Sequence, residues 1–211
     1  MTSTPNHQDS QTPIIERMPG PSSINSPAPP DLTTTIHILR HGESLHNIQK
    51  PYPHPDPPLT AAGTAQALAL RPAALPDLLL VSPMTRTIQT AALAFGHLLP
   101  PNQPLTAHAA VQVWPDLREA RREPCNRGVD RAELARRFPA LDLDLGECRE
   151  RWDYPPDAGP EEAAARAEGV RARLAGLGGR YRHVWVVTHR GFAAYLVQGE
   201  RLAVCGEFAV W

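Results

Sequence analysis

Short apolar runs alternate with helical patterns along most of this chain. Thr33-Thr34-Thr35-Ile36-His37-Ile38-Leu39 is short and β-branched, a strand by composition. Asp77-Leu78-Leu79-Leu80-Val81-Ser82 and His183-Val184-Trp185-Val186-Val187-Thr188 are apolar without alternation, the pattern of strands covered on both faces. Residues 109–113 predict a further short strand, and the weak alternation over 202–211 predicts an edge strand. Helices are predicted between them: 59–68 with Thr60 as N-cap, 85–99, 131–138 and 191–198. An alanine-rich helix opens at Pro160-Glu161-Glu162-Ala163, with proline in its first turn and acids near its N-terminus; Gly178-Gly179 is expected to end it. The proline-rich loop 51–58 cannot be helical. Strands alternating with helices imply an α/β layered sandwich with a mostly parallel sheet.

Residues 1–31 do not share this pattern. They are rich in Pro, Ser, Thr and Asn, bury too little apolar surface to offset chain entropy, and predict a disordered tail ahead of a domain over 32–211. The chain is 211 residues long, enough for one ordinary domain. Lys+Arg number 21 against 22 Asp+Glu, which excludes the gross basic footprint of a general nucleic-acid binder. No apolar run is long enough to predict a membrane span. Cys125, Cys148 and Cys205 form neither a CxxC pair nor a disulfide framework, and no secretory pattern opens the chain. A reducing compartment and a cytoplasmic location are expected.

The polar residues at the strand ends carry the chemistry. One strand runs into Leu39-Arg40-His41-Gly42-Glu43-Ser44, another into Ser82-Pro83 with Arg86 at the start of the next helix, and a third into Thr188-His189-Arg190-Gly191. Parallel sheets form ligand sites beyond the carboxyl ends of their strands, so Arg40, His41, Arg86 and His189 should meet at one edge. Taken singly, each is an ordinary strand-end or surface residue. Together they are crowded cations, which repel unless an anion lies between them, and arginine is the side chain suited to bidentate phosphate contacts. Gly42 is expected to let backbone approach the ligand closely. His37, inside the first strand, reads as a satisfied core histidine.

These motifs resemble the histidine phosphatase superfamily, in its phosphoglycerate-mutase-like branch and with fungal-type features. The resemblance rests on Arg40-His41-Gly42-Glu43-Ser44-x-x-Asn47, on Asp56-Pro57-Pro58-Leu59-Thr60-x-x-Gly63-x-x-Gln66-Ala67, on Ser82-Pro83-x-x-Arg86-x-x-x-Thr90-Ala91, on Leu117-Arg118-Glu119 followed by Pro124-Cys125-Asn126-x-Gly128, and on Thr188-His189. It implies a three-layer α/β/α sandwich and hydrolysis of a small phosphomonoester, a phosphorylated metabolite, without metal or cofactor. His41 would be the nucleophile that forms a phosphohistidine. Arg40, Arg86, His189 and Asn47 would clamp the phosphate, and Glu119 would be the general acid.

Composition alone does not choose among Asp116, Glu119 and Glu123 for that acid; the resemblance selects Glu119. Arg118, Arg121, Arg122 and Arg127 surround it, either as a second anion site or as a solvated charged face offset by neighbouring acids. Arg190 replaces the family's usual small residue or Gly; it either points to solvent, the favoured reading, or adds a substrate contact. The long lid elements of phosphoglycerate-isomerising mutases are not recognisable, which favours hydrolysis over a mutase reaction. Two further readings keep the scaffold: an elimination or isomerisation using the same His and Glu, and a phosphate-binding module without turnover.

Overall fold

The computed structural model describes residues 33–96, 98, 105–141, 143–149, 152–153, 160–197 and 202–210. The expected tail over 1–31 lies outside them, as do residues 99 and 198, where two helices were expected to end. Five strands form one sheet: β1 (Thr35–Arg40), β2 (Leu78–Val81), β3 (Ala110–Val113), β4 (His183–Thr188) and β5 (Glu207–Val210), in the order β3-β2-β4-β1-β5. The first four are parallel, with Arg40 opposite Thr188 and Val81 opposite Val187. The edge strand β5 runs antiparallel against β1.

Helices α1 (Leu45–Ile48), α2 (Ala61–Ala69), α3 (Thr85–Gly96), α4 (Arg131–Arg137), α5 (Pro160–Ala175) and α6 (Arg190–Leu196) complete the fold. The apolar strand runs divide their side chains between two cores, as a sheet buried on both faces requires. Leu39, Leu79, Val81, Trp185 and Val187 pack with Ile88, Ala91, Ala94 and Phe95 of α3. Ile36, Ile38, Leu78, Leu80, Val184 and Val186 pack with Ala167, Val170 and Leu174 of α5 and Phe192 and Ala193 of α6. The result is the three-layer α/β/α sandwich. Among the described residues no helix is long and apolar enough to cross a membrane.

Local chemistry sets most boundaries. Thr60 caps α2 by accepting from the Gly63 N–H at 2.9 Å. The alanine-rich helix stops at Ala175, ahead of the expected Gly178-Gly179. Its last turn tightens, with Leu177 N donating to Leu174 O and Gly178 N to Ala175 O. The single-turn α1 was not expected; the Asn47 side chain makes it by accepting from Ser44 N at 2.9 Å. A Cβ on Gly42 would stand 2.7 Å from the carbonyl oxygen of Gly63, so close packing against α2 by itself requires its small size.

Leu79 is fully buried in the sheet whereas Leu68 is 41% exposed on α2. Leu79→Ala should therefore cost about 2–5 kcal/mol in urea unfolding, and Leu68→Ala less than about 0.5 kcal/mol. Equal losses would contradict the assignment of the core.

Candidate active site

The three central strands β2, β4 and β1 lie side by side, and their carboxyl ends stay paired one residue further. His41 N donates to Thr188 O at 3.1 Å, and Ser82 N donates to Val187 O at 3.0 Å. This places the His41 and His189 rings with centroids 5.3 Å apart. Arg86, in the first turn of the helix that follows Ser82, donates from Nη2 to Nδ1 of His189 at 3.2 Å. Arg40, His41, Arg86 and His189 are all buried.

The hydrogen bonds settle both imidazole tautomers. Gly42 O can only accept, so Nδ1 of His41, 2.6 Å away, carries the proton and Nε2 keeps its lone pair. Burial, then the nearby Arg86, hold His41 well below the ordinary imidazole value, so the ring is neutral. The loop carrying it is pinned to α3: Gly42 N donates to Thr90 Oγ1 at 3.0 Å, and that hydroxyl donates to Arg86 O at 2.7 Å. His189 accepts from Arg86 at Nδ1, so its proton sits on Nε2, facing Ser82 Oγ at 2.8 Å. It too is pushed well below the ordinary value, first by burial and then by Arg86.

The arginines differ in what they touch. Arg86 donates to Cys125 O at 3.1 Å and to Asn126 Oδ1 at 3.0 Å, besides His189. Arg40 donates to Leu202 O at 3.1 Å. Among the described residues neither has a carboxylate within ion-pair distance, and the Nε of each is buried without a hydrogen-bond partner. Burial lowers both guanidinium pKa values; at Arg40 the neighbouring Arg190 adds to this and Glu119 opposes it, and at Arg86 Asp56 opposes it first and Glu119 next. By contrast Arg137 pairs with Asp56 at 2.9 Å, Arg173 with Glu147 at 2.6 Å, and Arg118 and Arg166 with Glu162.

Asp56 serves the same centre indirectly. Its backbone is in the left-handed region, φ 47°, and its buried carboxylate accepts from Thr85 N at 2.8 Å, Thr85 Oγ1 at 2.6 Å and Arg137. The first turn of α3 is thereby fixed where Arg86 leaves it.

Glu119 follows a 3₁₀ turn over Pro115–Leu117. Its Oε1 accepts from Ala120 N at 2.6 Å and Phe192 N at 2.9 Å, and its Oε2 from Gly191 N at 3.1 Å. The carboxylate therefore lies against the first turn of α6, beside His189, and a Cβ on Gly191 would overlap it. Asp116 faces Arg173 and Arg118 instead, and the exposed Glu123 faces Arg121 at 4.0 Å. Of the three carboxylates, Glu119 is the one bonded to the residues that follow His189.

Asn47 donates from Nδ2 to Nε2 of His46 at 3.1 Å, and the His46 ring lies 5.6 Å from that of His41. Burial, then Arg86, pull His46 down to about 3, so its ring remains a neutral acceptor.

Around this centre some expectations change. Arg118 is neither a spare anion contact nor part of a solvated face: it is buried and bound to Glu162 of α5. Arg190 is exposed, as expected. Arg121 lies 4.0 Å from Glu123 and Arg127 4.0 Å from Asp153, both with exposed side chains. Cys125 is buried and contributes its carbonyl. His37 is a core histidine, bonded to Glu207 and His183 and stacked on Trp185. Ser82, Asn126, His46 and Thr90 touch the centre without having been singled out. Ser82, Thr90 and Asn126 stood in quoted motifs, where position signals proximity and not role; His46 did not.

This arrangement can hold a tetrahedral anion against a neutral imidazole nitrogen, and relatives place it in a family. Residues 36–199 match the histidine phosphatase superfamily (branch 1). A "Phosphoglycerate mutase-like protein" of Arabidopsis thaliana is 31% identical over 210 residues, covering 82% of this chain and 77% of that one. A Schizosaccharomyces pombe protein named "Probable phosphatase" is 33% identical over 128 residues, 57% of this chain and 56% of that one, so the match spans little more than half of it. The structure of the alpha-ribazole phosphatase from Shigella flexneri superposes with a TM-score of 0.57 at 22% identity, over 84% of this chain and 90% of that one, a likeness of fold. The chain belongs to the histidine phosphatase superfamily.

The buried imidazoles make a pH prediction. His41, His46 and His189 all sit below the ordinary 6.5 when folded, so in mild acid the unfolded chain binds more protons than the native one. Their contribution to stability is complete above that value and is lost as pH falls below it. The urea midpoint should drop between about pH 7.5 and about pH 5.5, above the carboxylate range, and His46→Ala should flatten the slope. A midpoint that rises on acidification would contradict neutral burial.

Proposed function

We propose that this chain is a metal-independent phosphatase that hydrolyses a small phosphomonoester through a phosphohistidine on His41. The observation that carries the reading is the solvation of Arg40 and Arg86 by carbonyls, an amide and an imidazole. Those partners hold the guanidiniums in place and, being neutral, do not themselves cancel the charge. A phosphate dianion supplies the missing counter-charge, and phosphoryl transfer depends chiefly on positioning and on such charge.

Nε2 of His41 attacks phosphorus while the ester P–O bond breaks. The departing alkoxide takes a proton from Glu119, and water then cleaves the P–N bond. Oε1 of Glu119 is held by two amides and Oε2 by one longer bond, which makes Oε2 the oxygen to carry the proton. Arg40, Arg86, His189 and Asn47 bind the transferring group. Among the described residues no cluster of three or more His, Cys, Asp or Glu side chains could hold a metal ion, and the guanidiniums are proposed to do the neutralising.

His41→Ala should abolish turnover of phosphomonoesters, and rapid acid-free quench of the wild type should trap an alkali-stable phosphohistidine, with activity unchanged by chelator. Turnover retained in His41→Ala would refute the nucleophile. Glu119→Gln should slow an alkyl phosphate by roughly 10²–10⁴-fold and an aryl phosphate, whose leaving group needs little proton, by under about 10-fold. Equal slowing would assign the acid elsewhere.

A further inference from the structure

One arginine outside every recognised motif touches the Glu119 arrangement from both sides. Arg166 lies two turns into α5, and its side chain is only 5% exposed. Its Nη1 donates to Asp116 O and Arg118 O, both at 2.7 Å, and its Nη2 to Glu119 O at 3.3 Å. Its Nε donates to Glu162 Oε1 at 3.0 Å, which fixes the fork on the helix surface. The guanidinium carbon stands 4.2 Å over the centre of the Phe192 ring. Phe192 is the residue whose N–H grips Oε1 of Glu119.

One planar group thus binds the backbone of the turn that presents Glu119 and stacks on the residue that receives its carboxylate. The 3₁₀ turn ends in carbonyls with no partner inside the turn, and Arg166 satisfies them without a water layer. A lysine could carry the charge, but not a rigid fork that meets three carbonyls while stacking on a ring. Burial, with Arg118 beside it, lowers Arg166 to about 10, so it remains a cation at neutral pH.

We propose that Arg166 is a positioning residue for the acid step: it sets the height of the Glu119 carboxylate over the His41–His189 pair by tying residues 116–119 to the first turn of α6. This rests on the reading of Glu119 as the general acid. The competing view is that Arg166 only joins α5 to the rest of the fold, in which case its loss lowers stability and slows every substrate alike.

The test uses the full chain with Arg166→Gln, Arg166→Lys, Glu119→Gln and the Arg166→Gln/Glu119→Gln double variant. Each is assayed on p-nitrophenyl phosphate and glycerol 2-phosphate, and the Gly191 and Phe192 amides are followed by NMR. Arg166→Gln should lower kcat on glycerol 2-phosphate by about 10²-fold, with KM nearly unchanged, and p-nitrophenyl phosphate turnover by under about 3-fold. The double variant should be no slower than Glu119→Gln alone, because both remove one device. The two amides should move as they do in Glu119→Gln. If Arg166→Gln does not fold, the charge-retaining Arg166→Lys is read in its place and should show the same pattern at smaller amplitude.

Unmoved amides in a folded variant overturn the proposal. So does equal slowing of both substrates while Glu119→Gln discriminates between them. If Glu119→Gln itself fails to discriminate, the acid reading is what falls. The amide shifts then decide the positioning claim alone, for or against.

Discussion

A guanidinium taken fully out of water must be solvated by the protein, and the choice of solvating atoms decides what the cavity can do. Removing such a charge from water costs several kcal/mol. Arg86 meets that cost with a carbonyl, a side-chain amide and an imidazole nitrogen, all neutral. Arg137, 33% exposed at its side chain, takes the other solution and pairs with the Asp56 carboxylate. A carboxylate partner satisfies hydrogen bonds and cancels charge together. Neutral acceptors satisfy the bonds only and leave a positive potential in a low-dielectric cavity, where it acts most strongly on an entering anion. The two solutions occur within a few ångströms of each other, since Thr85, bound by Asp56 and Arg137, directly precedes Arg86. This division separates the arginines of the site from those of the scaffold.

That division also explains what could be read from the chain. Arg40, His41, Arg86 and His189 were legible because parallel strands send their carboxyl ends to one edge and each residue lies within a few positions of an apolar run. The three layers were legible because the β2 and β4 runs lack polar alternation. Arg118 was misjudged for the complementary reason. Its partner Glu162 lies on a helix far along the chain, and no local pattern distinguishes a buried, paired arginine from an exposed one. The role of Asn126 was hidden similarly, since 40 residues separate it from Arg86. Gly42 was marked for close approach of backbone to a ligand, and the neighbour seen to exclude a side chain there is backbone from α2.

The segment from Pro115 to Gly128 resisted pattern reading because it is built from single 3₁₀ turns, Pro115–Leu117 and Pro124–Asn126, too short to show periodicity. It nevertheless supplies one wall of the site from two directions. Its second turn solvates Arg86 through Cys125 O and Asn126, while its first presents Glu119 to α6. A wall without regular structure needs external anchors. Arg166 binds one end through backbone carbonyls, and at the other Gly128 N donates to Asp153 at 3.1 Å. Residues that specify the reacting geometry are thus held through their main chain by side chains distant in sequence, the kind of contact that leaves least trace in sequence.

Charge also weighs hydrolysis against an elimination or isomerisation on the same scaffold. Either chemistry could use an imidazole with a free Nε2, and the bond from Nδ1 of His41 to Gly42 O provides one. Proton abstraction from carbon, however, develops one negative charge, which a single cation or a pair of N–H donors can stabilise. Here two guanidiniums remain without carboxylate partners, and two further imidazoles are held neutral beside them, by burial first and by those cations next. Keeping the pocket this positive costs stability in the absence of an anion. A dianion whose charge spreads over three oxygens during transfer offsets that cost more fully than a singly charged carbanion or enolate would. The excess of cation over what proton transfer requires is the physical ground for preferring phosphoryl chemistry.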